Sequence, residues 1–233
     1  MSRGKEATPR VQVFVEAGRK RTFAGVGDWP GWSRSGRDEP EALQALLACG
    51  PRYAKVVHSL GLDMRPPVEV EQFFVCEQVR GTATTDFGAP DSPLAGDVQP
   101  LRTEDLRRAV WVLTSCFRAF ESALQAGEGR ELRTGPRGGG RTLPAILEHV
   151  LQGNRAYLQK LAWRPQQAVA PPLLQMRMLE AEILDALAAA VEGRMPSAGP
   201  RGGKLWTPRF FVRRVAWHLL DHAWEIEDRM ESP

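Results

Sequence analysis

The stretch that decides the fold is VAWHLLDHAWEIEDR, residues 215–229. It places His218 and His222 four residues apart, so that in a helix both rings project from one face about one turn apart. Counting about 100° per residue puts both on the apolar side of the helix, with Phe211, Val215, Leu219 and Ile226. The pair therefore faces the interior of a helical protein, where two imidazoles can share one metal ion.

Three more helices precede this one. Apolar residues recur every three or four positions from Leu106 to Leu124, after a candidate N-cap at Thr103. Prolines and glycines delimit the others, so that helices are predicted at about 103–127, 142–163, 172–193 and 207–229. Four helices of about twenty residues each predict an all-α four-helix bundle over residues 101–233.

The connections predict the topology of this bundle. The first and third are long and glycine-rich, around GPRGGGR and MPSAGPRGGK, whereas the second, RPQQAVAPP, is shorter. Long connections can run the length of a helix and join parallel neighbours, and short ones join antiparallel neighbours. The expected order is up-up-down-down.

A third histidine, His149, lies on the second helix with Ile146, Gly153 and Ala156 on its face. It is about seven residues from the start of that helix, while the pair is centred about nine residues from the end of the fourth. With a rise of about 1.5 Å per residue, these depths match to about 3 Å in antiparallel helices and differ by about 9 Å in parallel ones. The predicted topology makes the two helices antiparallel and brings three histidines to one level.

Three neutral imidazoles are suited to Zn²⁺, Ni²⁺ or another late first-row metal. Such a site leaves a coordination position for water or substrate, whereas structural zinc sites normally use four protein ligands. The alternative is a set of hydrogen-bonded core histidines. Glu225, on the histidine face, and then Asp221 and Glu148 are candidates to orient a ring N–H, or else they are solvated helix charges.

Residues 1–80 predict a small α+β unit. Alternating Val11, Val13 and Val15, a turn at Gly18 and a return over 22–26 form a hairpin. Helices are expected at 39–47, ended by Gly50-Pro51, and at 53–60, followed by a strand within 68–79 and one more short strand in DWPGWS, residues 28–33. Residues 81–100, rich in Gly, Pro, Asp and Thr without a period, predict a linker.

The composition of the 233 residues excludes several classes of protein. A net charge of +3 is too small an excess to predict nucleic-acid binding. No apolar run approaches the roughly 18 residues that span a bilayer, and the first ten residues lack the apolar core of a signal peptide, so we expect a cytoplasmic protein with no membrane partner. Cys49, Cys76 and Cys116 show no C-x-x-C spacing and predict neither disulfides nor a thiolate zinc site.

The motif GPRGG occurs before both histidine-bearing helices, at 135–139 and 199–203. The first approximates a phosphate loop but has no preceding strand, so no nucleotide site is predicted. Arg137, Arg141 and Thr142 could still bind an anion at the start of the second helix, about 10 Å from the level of His149. The alternative is a flexible, soluble crossover. Trp217 and Trp224 lie off the histidine face and are expected to pack on the N-terminal unit or on a second copy in a homodimer.

The histidine pattern on four helices, with ILEHVLQGNRAYLQKL on the second and VAWHLLDHAWEIEDR on the fourth, resembles the DinB-like metal-binding superfamily. The resemblance covers residues 101–229. It implies a divalent metal held by His149, His218 and His222. Some members, such as mycothiol-dependent maleylpyruvate isomerase and bacillithiol S-transferases, carry out thiol-dependent chemistry. The resemblance therefore implies that this chemistry is a candidate activity here.

The N-terminal unit, with VQVFVEAG, PGW and SGRDEPEAL, resembles a HicB-type domain, although no ribbon-helix-helix or helix-turn-helix follows. The two parts together are similar to two-part bacterial proteins. Two hypotheses follow. The first is a metal-dependent enzyme, a thiol S-transferase, isomerase or hydrolase, that activates a low-molecular-weight thiol or water toward a small-molecule substrate. The second is a non-catalytic protein with a partner-binding HicB-like unit and a metal-stabilised bundle.

Overall fold

The computed structural model divides the chain into two compact units, Met1–Leu94 and Ala95–Pro233. It describes residues 10–134, 140–166, 169–196 and 204–230. The first unit is a small mixed sheet with helices, and the second contains four long helices.

The first unit has four strands, β1 (Val11–Ala17), β2 (Thr22–Gly25), β3 (Ser33–Gly36) and β4 (Phe73–Arg80). Their order in the sheet is β3-β2-β1-β4, in which β1 pairs antiparallel with β2 and parallel with β4. The expected hairpin is β1 and β2. The additional strand, expected within residues 28–33, begins only at Ser33.

Helix α1 (Glu39–His58) packs against β2 and β3 and runs unbroken through Gly50-Pro51. The predicted end of a helix at this dipeptide is therefore wrong. One buried face, containing Leu46, Tyr53 and Val57, continues across the proline, and its burial outweighs the backbone hydrogen bond that proline cannot make. Glycine is required at position 50 because a β-carbon there would lie 2.7 Å from the Pro66 side chain.

The segment 81–100, predicted as a linker, is folded. It forms α2 (Ala83–Phe87) and a 3₁₀ turn at Ala95–Val98, and the boundary between the two units falls inside it. The buried Glu16 carboxylate holds its first half, accepting hydrogen bonds from the hydroxyl of Thr85 and the backbone N–H groups of Asp91 and Ser92. These contacts join residues about 70 positions apart, which a local pattern does not reveal.

The long helices are α3 (Thr103–Gly127), α4 (Leu143–Lys160), α5 (Pro172–Val191) and α6 (Pro208–Met230). Their bounds agree closely with the predicted ones, because each has a proline or glycine at one end. Helix α3 packs most extensively against α6, while α4 and α5 each contact α3 and one another. No helix in the described part of the chain is both long and apolar enough to cross a membrane.

The predicted up-up-down-down order is wrong. At the start of α3 and α6, Asp105 pairs with Arg209, and at their ends Gly127 lies against Ile226, so the two helices are parallel. Gly127 also lies against Leu143 at the start of α4, which makes α4 antiparallel to both. The connection from α3 to α4 therefore joins two neighbouring helix ends. A long connection can run the length of a helix, but its length does not require it to do so.

Candidate metal centre

The rings of His149, His218 and His222 meet between α4 and α6. Nε2 of His149 and Nε2 of His218 are 3.3 Å apart. The centroid of the His222 ring lies 4.8 Å from the centroid of the His149 ring and 4.8 Å from that of the His218 ring. One ligand nitrogen from each ring falls within 4.8 Å of the others, so that this group could hold a metal ion.

One of the nitrogen–nitrogen distances fits a first-row metal. Two nitrogens that bind one tetrahedral zinc lie about 3.3 Å apart, given Zn–N distances near 2.05 Å. The separation between His149 and His218 has this value. Within the described residues the group of potential ligands contains these three side chains and no fourth, which leaves a position for an exogenous ligand.

The site lies on the buried side of α6 and at the edge of α4. His218 and His222 are 4% and 7% exposed, whereas His149 is half-buried. His149 therefore stands on the solvent side of the group.

The environment keeps the rings of His149 and His218 neutral. Burial, with the nearby charges of His222 and Arg141, lowers the pKa of His149 to about 4. Burial also lowers the pKa of His218 well below its usual range, and the neighbouring histidines and Arg214 add to the effect. Neutral imidazoles present the lone pairs that bind metals, so these shifts favour a metal site at neutral pH.

Glu225, on the histidine face of α6, contacts the ring of His222. Its Oε2 lies 2.8 Å from Nδ1 of His222, and its Oε1 accepts a hydrogen bond from Arg229 at 2.9 Å. Burial raises the pKa of Glu225, but the hydrogen bond with His222 and the ion pair with Arg229 outweigh it and place the pKa below its ordinary value. The carboxylate therefore accepts the proton of Nδ1 and leaves Nε2 of His222 for a metal.

An arginine and aromatic rings flank the histidines on the other side. Arg214, one turn before His218, donates a hydrogen bond to the hydroxyl of Tyr157 at 3.1 Å. Its guanidinium lies over the rings of Tyr157 and Trp217 at 5.3 and 5.2 Å from their centroids. The Tyr157 ring also contacts His218, with 5.4 Å between centroids. Arg214 and Tyr157 were not predicted from the sequence, although Arg214, His218 and His222 share a four-residue spacing.

The other acidic candidates are placed differently. Glu148 is exposed, and its carboxylate accepts a hydrogen bond from Gln152 instead of orienting a histidine, because it projects from the solvent side of α4. In this arrangement Glu148 is a solvated helix charge, the alternative predicted for this residue. Asp221 is half-buried next to His222 in the sequence.

The expected anion site falls partly outside the described residues. Arg137 and both GPRGG motifs lie there. Thr142 stands at the N-cap position of α4 without a side-chain cap, and Arg141, also exposed, contributes its charge to the low pKa of His149.

The remaining residues of interest lie outside the histidine cluster. Trp217 and Trp224 are both buried. His58, in the first unit, accepts a hydrogen bond from the backbone N–H of Met64.

Comparison of the chain with models of known protein families, with curated proteins and with solved structures found no match in any of the three.

Proposed function

We propose that the second unit is a DinB-like four-helix bundle that binds a divalent metal, zinc or nickel, through His149, His218 and His222. The observation that carries the proposal is the convergence of three imidazoles, with two ring nitrogens 3.3 Å apart and the third ring in contact with a carboxylate. The proposal depends on the histidines and the four long helices, and not on the up-up-down-down order.

We further propose that the protein is an enzyme. A bound divalent metal lowers the pKa of a coordinated thiol or water and so supplies a nucleophile near neutral pH. Thiol transfer is preferred to hydrolysis because of the resemblance to DinB-like thiol-dependent proteins.

The chain's own residues have separate tasks in this proposal. His218 and His222 are buried and hold the ion, while the half-buried His149 completes the ligand set next to the position where a thiol or water would enter. Glu225 accepts the Nδ1 proton of His222. The three-ligand set favours an enzyme over a metal-stabilised support, which would be expected to use four protein ligands.

For the first unit we propose a HicB-like interaction module. What supports it is the order of its elements, three strands, one long helix and a further strand that pairs parallel with β1. We propose that the whole protein acts in the cytoplasm on a small-molecule substrate.

Metal content tests the first step. We expect the purified protein to contain equimolar zinc or nickel and the His149→Ala variant to have lost most of it. His58→Ala is the matched control, because His58 is the fourth histidine of the chain and lies in the first unit. Full metal occupancy in His149→Ala would show that these residues are not the ligands.

Cobalt-substituted protein tests the second step. Coordination of a thiolate to Co²⁺ produces a charge-transfer absorption band in the near ultraviolet. We expect this band on addition of a low-molecular-weight thiol, such as glutathione, mycothiol or bacillithiol, and not with His149→Ala. A protein that binds cobalt but shows no band with any of these thiols would argue against thiol chemistry and leave metal-bound water as the nucleophile.

A further inference from the structure

Arg229, near the end of α6, joins three parts of the second unit. Its side chain is only 10% exposed. Nε donates a hydrogen bond to the carbonyl oxygen of Arg133 at 2.7 Å, and Nη1 donates to the carbonyl oxygen of Arg141 at 2.9 Å. The same Nη1 lies 2.9 Å from Oε1 of Glu225. One guanidinium thus connects the described flanks of the α3–α4 connection to a carboxylate that contacts a histidine.

The connection in turn holds the end of α6. The backbone N–H of Arg133 donates to the carbonyl oxygen of Arg229 at 3.0 Å, and Nη2 of Arg133 donates to that of Asp228 at 2.6 Å. The last carbonyl groups of a helix have no partner within the helix, so donors from outside stabilise it. These reciprocal bonds restrict the position of Arg229.

Glu225 connects Arg229 to His222, so a fixed position of Arg229 also restricts the ring of His222. The two carboxylate oxygens have different partners, Nη1 of Arg229 on Oε1 and Nδ1 of His222 on Oε2. A carboxylate next to a guanidinium is ionised and only accepts hydrogen bonds, so the proton between Glu225 and His222 belongs to Nδ1. This tautomer leaves the Nε2 lone pair of His222 available.

We propose that Arg229 is a positioning residue for the metal site: it holds Glu225 against Nδ1 of His222 and so keeps that ring in the tautomer and orientation in which Nε2 binds the ion. The inference depends on the proposed metal function. It adds that the α3–α4 connection, through the carbonyl groups of Arg133 and Arg141, supports the affinity of the site for metal.

The zinc dissociation constant, measured by competition with a chromophoric chelator, tests this role. Loss of a residue that orients a metal ligand typically weakens metal binding by about 10–100-fold, and we expect this for Arg229→Gln. Arg229→Lys retains the charge but cannot reach Glu225 and both carbonyl groups at once, so zinc binding should weaken in it as well.

Arg209 provides the matched control. At the start of α6 it donates hydrogen bonds to the carbonyl oxygens of Gln99 and Pro100 and pairs with Asp105, the same combination of partners without a histidine. Arg209→Gln should lower the melting temperature but leave zinc affinity unchanged. Equal losses of zinc affinity in Arg209→Gln and Arg229→Gln would overturn the inference.

A double-mutant cycle and a spectroscopic measurement separate positioning from general stabilisation. If Arg229 acts through Glu225, the double variant Glu225→Ala/Arg229→Gln binds zinc no more weakly than Glu225→Ala alone. Additive losses would contradict the proposal.

Nitrogen-15 NMR of the imidazoles in metal-free protein should show protonated Nδ1 in His222 and a shift toward protonated Nε2 in Arg229→Gln. An unchanged tautomer would also contradict the proposal. Because this readout needs no metal, it remains decisive even if the wild-type protein binds no zinc, an outcome that would refute the proposed function.

Discussion

Gly153 on α4 lies directly against the ring of His218 on α6. A β-carbon at position 153 would be 2.6 Å from Cε1 of His218, which is closer than β-carbons in real structures approach non-bonded atoms. His218 is almost fully buried and has little room to retreat. The lack of a side chain at residue 153 therefore sets how closely α4 and α6 approach at the histidine cluster.

Replacement of Gly153 by alanine should weaken metal binding. In a helix this change ordinarily stabilises by about 0.5–1 kcal/mol, but here the added methyl group displaces the His218 ring from His149. We expect reduced zinc affinity in chelator competition, whereas Gln159→Ala, an exposed substitution on the same helix, should bind zinc like the wild type. Unchanged zinc affinity in Gly153→Ala would show that the helices separate without cost to the site.

Zinc should stabilise the folded protein. A ligand that binds only the native state at 100 times its dissociation constant adds about 2.7 kcal/mol, which corresponds to a rise in melting temperature of about 5–10 °C for a unit of this size. Thermal unfolding followed by circular dichroism should show this rise, and a chelator should reverse it. In His218→Ala the melting temperature should not depend on zinc, and the same rise in that variant would indicate binding elsewhere.

The stability of the metal-free protein should fall in mild acid. The pKa of His149 is about 4 in the folded protein, against about 6.5 in an unfolded chain. Between these values the unfolded state binds more protons, so the free energy of unfolding decreases as the pH falls from about 6.5 toward 4. Urea denaturation at several pH values measures this decrease in the free energy of unfolding. His149→Gln should show a weaker dependence than the wild type, and equal slopes would refute the assignment.

The buried ion pair between Arg213 and Asp97 should contribute more to the free energy of unfolding than the partly exposed pair between Arg209 and Asp105. The side chains of the first pair are 9% and 5% exposed and those of the second 31% and 30%. Loss of one partner leaves a buried charge uncompensated, at a cost of about 3–5 kcal/mol, whereas exposed pairs contribute about 1 kcal/mol or less. Chemical denaturation of Asp97→Ala and Asp105→Ala should show this difference, and similar losses would contradict it.

The local elements were largely predictable. The bounds of α3 follow from its apolar period and the final Gly127, and the structure has the same helix, although its N-cap residue is Arg102 and not the predicted Thr103. The extent of α1 was not predictable in this way, because the burial of Leu46 and Tyr53 on either side of Pro51 outweighs a local helix-breaking signal. Where a local signal and burial conflict, burial decides.

The candidate site was predictable in its ligands but not in their surroundings. The position of His149 at the level of His218 and His222 requires only that α4 and α6 are antiparallel. That relationship holds even though α3 and α6 are parallel, contrary to the predicted order. The contacts of Arg229 with Arg133 and Arg141 join residues 96 and 88 positions apart, and no periodicity within one helix encodes them.

The sequence by itself determined which residues form the long helices and which face of α6 carries His218 and His222, because both depend on a 3.6-residue period within one segment. Only the tertiary structure decided the directions of the helices, the folding of residues 81–92 around Glu16, and the contacts that connect the α3–α4 connection through Arg229 and Glu225 to His222. These depend on contacts between distant segments, which arise from the packing of whole elements and leave no regular spacing in the chain.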